Sequence, residues 1–161
     1  MIGKFGSALA LFAILVFPVP PATAQTGAAA LKLEALMKES GYKSAVKVND
    51  TTWTLDFSGK QILKFKVAVT ATDKDASGII TVIVNPVARD QLPRNRANLS
   101  AAMLKANNDF DYVKIGFDKD GDLFVRADIP PRTDLVSFKA VVEQVAAAAD
   151  EFYGKIKQFL R

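Results

Sequence analysis

The chain has 161 residues, half of them hydrophobic, and a formal net charge of +4, a size and composition that suit one domain around one core. It contains no cysteine and no histidine, which removes thiolate chemistry, imidazole bases and the nitrogen and sulfur ligands of ordinary zinc sites. Catalysis would have to rest on Asp, Glu, Ser, Thr, Tyr, Lys or Arg.

Residues 1–24 read as a secretory signal peptide. "MIGK" brings one positive charge, "SALALFAILVF" is an apolar run, "PVPP" breaks any helix, and Ala22, Thr23 and Ala24 form an A-x-A cleavage site before Gln25. The run is shorter than the roughly 20 apolar residues of a bilayer span, so membrane association is expected only if the leader stays uncleaved. Cleavage after Ala24 places the mature chain in the periplasm or outside the cell. It removes Lys4 from the 21 basic residues and none of the 17 acids, leaving a net charge of +3. The two signs are interspersed, and the concentrated basic face of a nucleic-acid binder is missing.

Residues 25–30 are small and polar, a flexible start overlapping a helix expected at 28–40. In "ALKLEALMKESGY", Leu33, Leu36 and Met37 share one helical face, and Gly41 is a natural C-terminal stop. The period then changes to two. Trp53, Leu55 and Phe57 alternate with polar residues in "TTWTLDFSG", as do Leu63, Phe65, Val67 and Val69 in "QILKFKVAVTA". Ser58, Gly59 and Lys60 join these strands, and "DKDASG" turns the chain again. "GIITVIVNP" carries apolar residues on both faces, with Ile80, Val82 and Val84 on one and Ile79 and Ile83 on the other, and Pro86 is expected to end it. "VKVND" before Thr51 could add a short edge strand.

A loop with Arg89, Arg94 and Arg96 leads into a second helix, "NLSAAMLKANND", with Asn98 as its expected N-cap. Strands at 112–118 and 122–129 follow. A third helix runs from about 134 to the end, with Phe138, Val141, Val142, Val145, Ala149, Phe152, Ile156 and Phe159 as its apolar stripe. The expected fold is α+β, a five-stranded antiparallel sheet with helices packed on one face, in the order α-β-β-β-α-β-β-α. The single domain covers residues 31–161.

The stretch "FDKDGDLFVRAD" places Asp118, Asp120 and Asp122 around Gly121 in the manner of a calcium loop. Counted from Asp118, an EF-hand would need Gly at its sixth position and Glu at its twelfth. Leu123 and Ile129 stand there instead. A hairpin fits better: a type I turn with Asp118 at its start and left-handed Gly121 at its end. Phe117 then meets Leu123, Ile115 meets Val125, and Val113 meets Ala127, which makes one face uniformly apolar. At most a weak, millimolar calcium contact is left. No cofactor site is evident.

Asp109, Asp111, Asp128 and Asp134 could supply a carboxylate pair for hydrolysis, but they fall at element ends, where acids commonly cap. Ser40, Ser100 and Ser137 lack a nucleophile-elbow context. Arg89, Arg94 and Arg96 could hold an anion or an acidic partner. If Leu63, Phe65, Val82, Ile115 and Val125 face the helices, then Ile79, Ile83, Tyr112 and Phe124 face away, and a contiguous patch of them would mark a partner or dimer surface.

"NLSAAMLKANNDFDYVKIGFDKDGDLFVRADIP", followed by "DLVSFKAVVEQVAAAADEFYGKI", resembles the YbjN-like family of small bacterial proteins, also labelled sensory transduction regulators. The matching positions are Leu104, Asn107, Ile115, Asp118, Asp120, Gly121, Leu123, Asp150 and Tyr153. The resemblance implies a fold similar to type III secretion chaperones and no catalytic residues. The function expected is therefore an exported, non-catalytic protein- or peptide-binding module, chaperone-like or regulatory. A small carboxylate hydrolase and a small-ligand or lipid carrier, holding its cargo between the sheet and the third helix, are the alternatives.

Overall fold

A computed structural model describes residues 27–73 and 78–161. The expected signal peptide and most of the turn at 73–78 lie outside them. Helix α1 spans Ala28–Ser40, buries Leu33, Leu36 and Met37, and ends at Gly41 with φ +73°. These are the bounds expected for it, and Ala29 and Ala30 of its first turn are buried. Gly27 at its N-cap has no side chain to offer. Asp73 substitutes from across the fold, its Oδ1 accepting from the Ala29 N–H at 3.0 Å.

Four strands follow: β1 (Val46–Asn49), β2 (Thr52–Phe57), β3 (Phe65–Thr72) and β4 (Ile79–Val87). After α2 (Ala97–Asp109), β5 (Lys114–Phe117) and β6 (Leu123–Ile129) form a hairpin, and α3 (Leu135–Ile156) closes the chain. The sheet is antiparallel with six strands in the order β1-β2-β3-β4-β6-β5, where five were expected. The additional strand is β1. It is the short edge strand that "VKVND" offered, and all four of its residues are exposed. Its ladder also slips between Lys47 and Asn49, a bulge that blunts an open edge.

Two further expectations are corrected. Pro86 does not end β4, because the β4–β6 register shifts between Val84 and Val87. The irregularity tolerates a residue with no N–H to donate. Leu63 does not face the helices; it is 79% exposed in the loop before β3.

The core lies between the helices and one face of the sheet. Leu55, Val67, Val69, Ile80, Val82, Val84, Leu123, Val125 and Ala127 point inward and are buried. Helix α3 crosses β4 and β6, α1 lies over β3 and α2 over β5. Along α3, Phe138, Val142, Val145, Ala149, Phe152 and Ile156 recur every three or four residues and are fully buried, the stripe of a helix packed along one side. Asp134 caps this helix, its Oδ1 accepting from the Ser137 N–H at 2.9 Å. Among the described residues, no helix is long and apolar enough to cross a membrane.

Candidate functional site

All three helices cover one face of the sheet, and among the described residues nothing covers the other. Alternation assigns its side chains: Thr52, Thr54 and Asp56 from β2, Lys66, Ala68, Thr70 and Thr72 from β3, Ile79, Thr81 and Ile83 from β4, and Phe124, Arg126 and Asp128 from β6. Ile83 is half-buried between Ala68 and Arg126, its neighbours on the flanking strands. Phe124 lies across Gly116 of β5, where a Cβ would meet its ring at 2.7 Å, and the Arg126 guanidinium stands 5.0 Å over that ring. Ile79 is 40% exposed at the start of β4.

Tyr112 does not join them. It lies in the loop before β5, 83% exposed, at φ +61°, a left-handed conformation that an aromatic residue rarely adopts. The face therefore has an apolar centre, Ile83 and Phe124, set in threonines and ion pairs rather than a continuous apolar patch. Lys66 pairs with Asp56 at 2.6 Å, and Asp128 draws in Lys114 at 3.3 Å, Arg126 at 3.4 Å and the Thr81 hydroxyl at 2.8 Å.

The aspartates around Gly121 form the expected turn. Gly121 has φ +86°, and Phe117 pairs with Leu123 and Ile115 with Val125. The carboxylates of Asp118 and Asp122 are engaged by protein donors. Asp118 Oδ1 accepts from the N–H groups of Asp120 and Asp122 at 3.0 and 2.9 Å, Asp118 Oδ2 from the Asn85 amide at 2.9 Å, and Asp122 Oδ1 from the Arg89 N–H at 2.7 Å. Gly121→Val is expected to cost at least about 1 kcal/mol, since a β-branched residue is strained at positive φ. Asp120→Asn, with an exposed side chain that no bond among the described residues uses, should be nearly silent. Urea denaturation of the two variants checks both, and a calcium-dependent rise in melting temperature that Asp120→Asn abolishes would restore the metal reading.

The acids considered for hydrolysis sit on separate elements. Asp109 ends α2, Asp111 follows it, Asp128 is held on the sheet, and Asp134 caps α3. The Ser137 N–H, then its hydroxyl, holds the Asp134 carboxyl below its ordinary value. Among the described residues, no group of three or more acids is placed to hold a metal ion. Tyr42 stands beside Phe57 with ring centroids 6.3 Å apart, and Phe57 stacks on Phe65 at 6.0 Å. Burial, then the Glu143 charge, pushes the Tyr42 phenol up to about 12, so it stays neutral and is a poor base.

One acid that sequence reasoning did not single out as a site does the most work. Asp150 of α3 accepts from three consecutive backbone N–H groups, Lys60 at 2.9 Å, Gln61 at 2.8 Å and Ile62 at 2.7 Å. It thereby fastens the β2–β3 loop onto α3. Gly154 makes room, because a Cβ there would meet Gln61 Cγ at 2.8 Å. Beside this latch is an open cleft of about 980 Å³, walled by Phe57, Phe65, Ala146 and Ala147 and rimmed by Lys60, Glu151 and Lys155.

The three loop arginines do come together, and Arg161 joins them around a second cleft of about 490 Å³ that Leu92 and Pro93 also line. Arg161 arrives because its N–H donates to the Gln91 carbonyl at 3.0 Å, a contact between distant parts of the chain with no local signal.

No family model matches the chain, so the resemblance to YbjN-like proteins has no support there, and no curated protein matches it. Among solved structures, the chain is similar to one in the heterodimeric ExoU–SpcU complex of the type III secretion system of Pseudomonas aeruginosa. The identity is 14% and the TM-score 0.47, over 80% of this chain and 98% of that one.

Proposed function

We propose that this is an exported, non-catalytic protein- or peptide-binding module of the cell envelope, and that the open face of the sheet is its working surface. The observation behind this reading is the asymmetry of the fold: six strands are covered by helices on one side and by nothing described on the other. Ile83, Phe124 and Arg126 at its centre are the residue types that anchor interfaces, and the surrounding threonines and ion pairs make a polar rim. Of the acids in the hydrolytic alternative, Asp128 is taken up in ion pairs and Asp134 in a helix cap. For the lipid-carrier alternative, Phe138, Val142, Val145 and Phe152 fill the interval between α3 and strands β4 and β6, and the open cleft left beside Phe57 and Phe65 is rimmed by the charges of Lys60, Glu151 and Lys155.

Ile83→Glu and Phe124→Glu test the reading. A charge at the centre of a binding surface must lose its water without gaining a partner. Each variant is expected to keep its circular dichroism spectrum and lose partner capture by at least about tenfold, the equivalent of about 1.4 kcal/mol. Size-exclusion chromatography separates the outcomes: a shift to smaller size relative to the parent identifies the partner as a second copy. Unfolding of both variants would make these residues core, and unchanged capture would move the surface elsewhere.

A further inference from the structure

The geometry points to the arginine cleft as a binding site for a phosphate-class anion carrying more than one negative charge. The protein has six arginines and fifteen lysines. Four of the six arginines, Arg89, Arg94, Arg96 and Arg161, line this cleft, and no lysine does. Such segregation matters chemically. Guanidinium offers a flat, forked set of donors that matches two oxygens of one phosphate, whereas ammonium is a hydrated point charge.

The cleft is also built rather than merely basic. Arg96 is held by Phe117, its guanidinium 4.6 Å above the ring. Arg89 is held from behind, its backbone N–H on Asp122 Oδ1 and its side chain against Gly121, where a Cβ would meet Arg89 Cδ at 3.1 Å. The aspartate turn that resembles a calcium loop therefore serves to set an arginine in place. Asp90 and Asp122 also line the cleft. Asp122 has one oxygen committed to the Arg89 backbone, and among the described residues none of the four guanidiniums pairs with a carboxylate. By contrast Lys38, Lys47, Lys66, Lys114, Lys155 and Arg126 all have acidic partners. Four like charges gathered with only Asp90 and Asp122 to offset them repel one another, and a compact anion of two or more charges relieves that repulsion better than one carboxylate.

The test is a titration with inorganic pyrophosphate at low ionic strength, followed by amide chemical shifts. Saturable shifts confined to residues 88–97 and 161 are expected. Arg94→Ala and Arg161→Ala, whose side chains make no bond among the described residues, should each weaken binding by about tenfold, and Lys43→Ala should leave it unchanged. Co-sedimentation with phosphatidylglycerol vesicles, against phosphatidylcholine vesicles, tells the source. Sedimentation that needs Arg94 assigns a lipid headgroup, and pyrophosphate binding without sedimentation assigns a free phosphate compound. Shifts spread over the basic surface, or binding that Arg94→Ala and Lys43→Ala weaken equally, would overturn the assignment.

Discussion

Phe152→Ala is expected to destabilise the protein by about 3–5 kcal/mol, the usual cost of emptying a phenylalanine site in a core. Phe152 is fully buried on the face of α3 that packs against β4 and β6. Its removal deletes apolar contact and leaves a cavity that flanking β-strands cannot collapse to fill. Against a total stability of about 5–15 kcal/mol for a domain, this is the largest single-residue effect we expect. The urea midpoint should fall while the slope stays constant. Val136→Ala is the control: Val136 is on the same helix but 78% exposed, and its loss should stay within about 0.5 kcal/mol. A reversal of the two results would mean that α3 presents its other side to the sheet.

Asp150→Ala is expected to cost about 1–2 kcal/mol, the value of charge-assisted hydrogen bonds discounted for the water that reaches them. Asp150→Asn should cost about half as much, because its remaining carbonyl oxygen can still accept from Gln61 and Ile62. The effect has a pH signature. Desolvation against the loop pushes the Asp150 carboxyl up. The N–H groups of Ile62, Gln61 and Lys60, with the Lys60 charge, outweigh it and hold the carboxyl below 3.8. A carboxyl depressed on folding stabilises the protein above its unfolded value and loses that contribution as pH falls through the folded one. The difference between the parent and Asp150→Ala should therefore be constant near neutrality and shrink only below about pH 4. A difference that changes between pH 6 and 8 would assign the effect to another group.

Much of this architecture is legible in the sequence because periodicity and turn chemistry act locally. Helix α1 ends where Gly41 ends it, and the apolar stripe of α3 is the face that packs. The β5–β6 register follows from Asp118 and Gly121 alone. The reading fails where tertiary contacts override local pattern. Leu63 continues the alternation of β3, yet the Asp150 latch holds the loop ahead of it off the sheet. Strand β1, offered by "VKVND" but left out of the five-stranded count, is an edge strand that exposes both its valines. Tyr112 fits a strand pattern but turns at positive φ. Of the candidate surface, Ile79, Ile83 and Phe124 were placed by alternation in β4 and β6. Arg161 and the Asp150 nest depend on contacts between segments far apart in the chain, which no local pattern encodes.

The central claim is that the uncovered sheet face is where a partner binds, and site-specific photo-cross-linking in the producing cell tests it most directly. A photoreactive phenylalanine analogue replaces Thr70, which faces outward between Thr52 and Thr81, and, as a control, Glu39 on the exposed side of α1. The account predicts a discrete cross-linked adduct from position 70, none from position 39, and loss of the adduct when Ile83→Glu is added. An adduct from position 39 with none from position 70, or one from position 70 that survives Ile83→Glu undiminished, would contradict it.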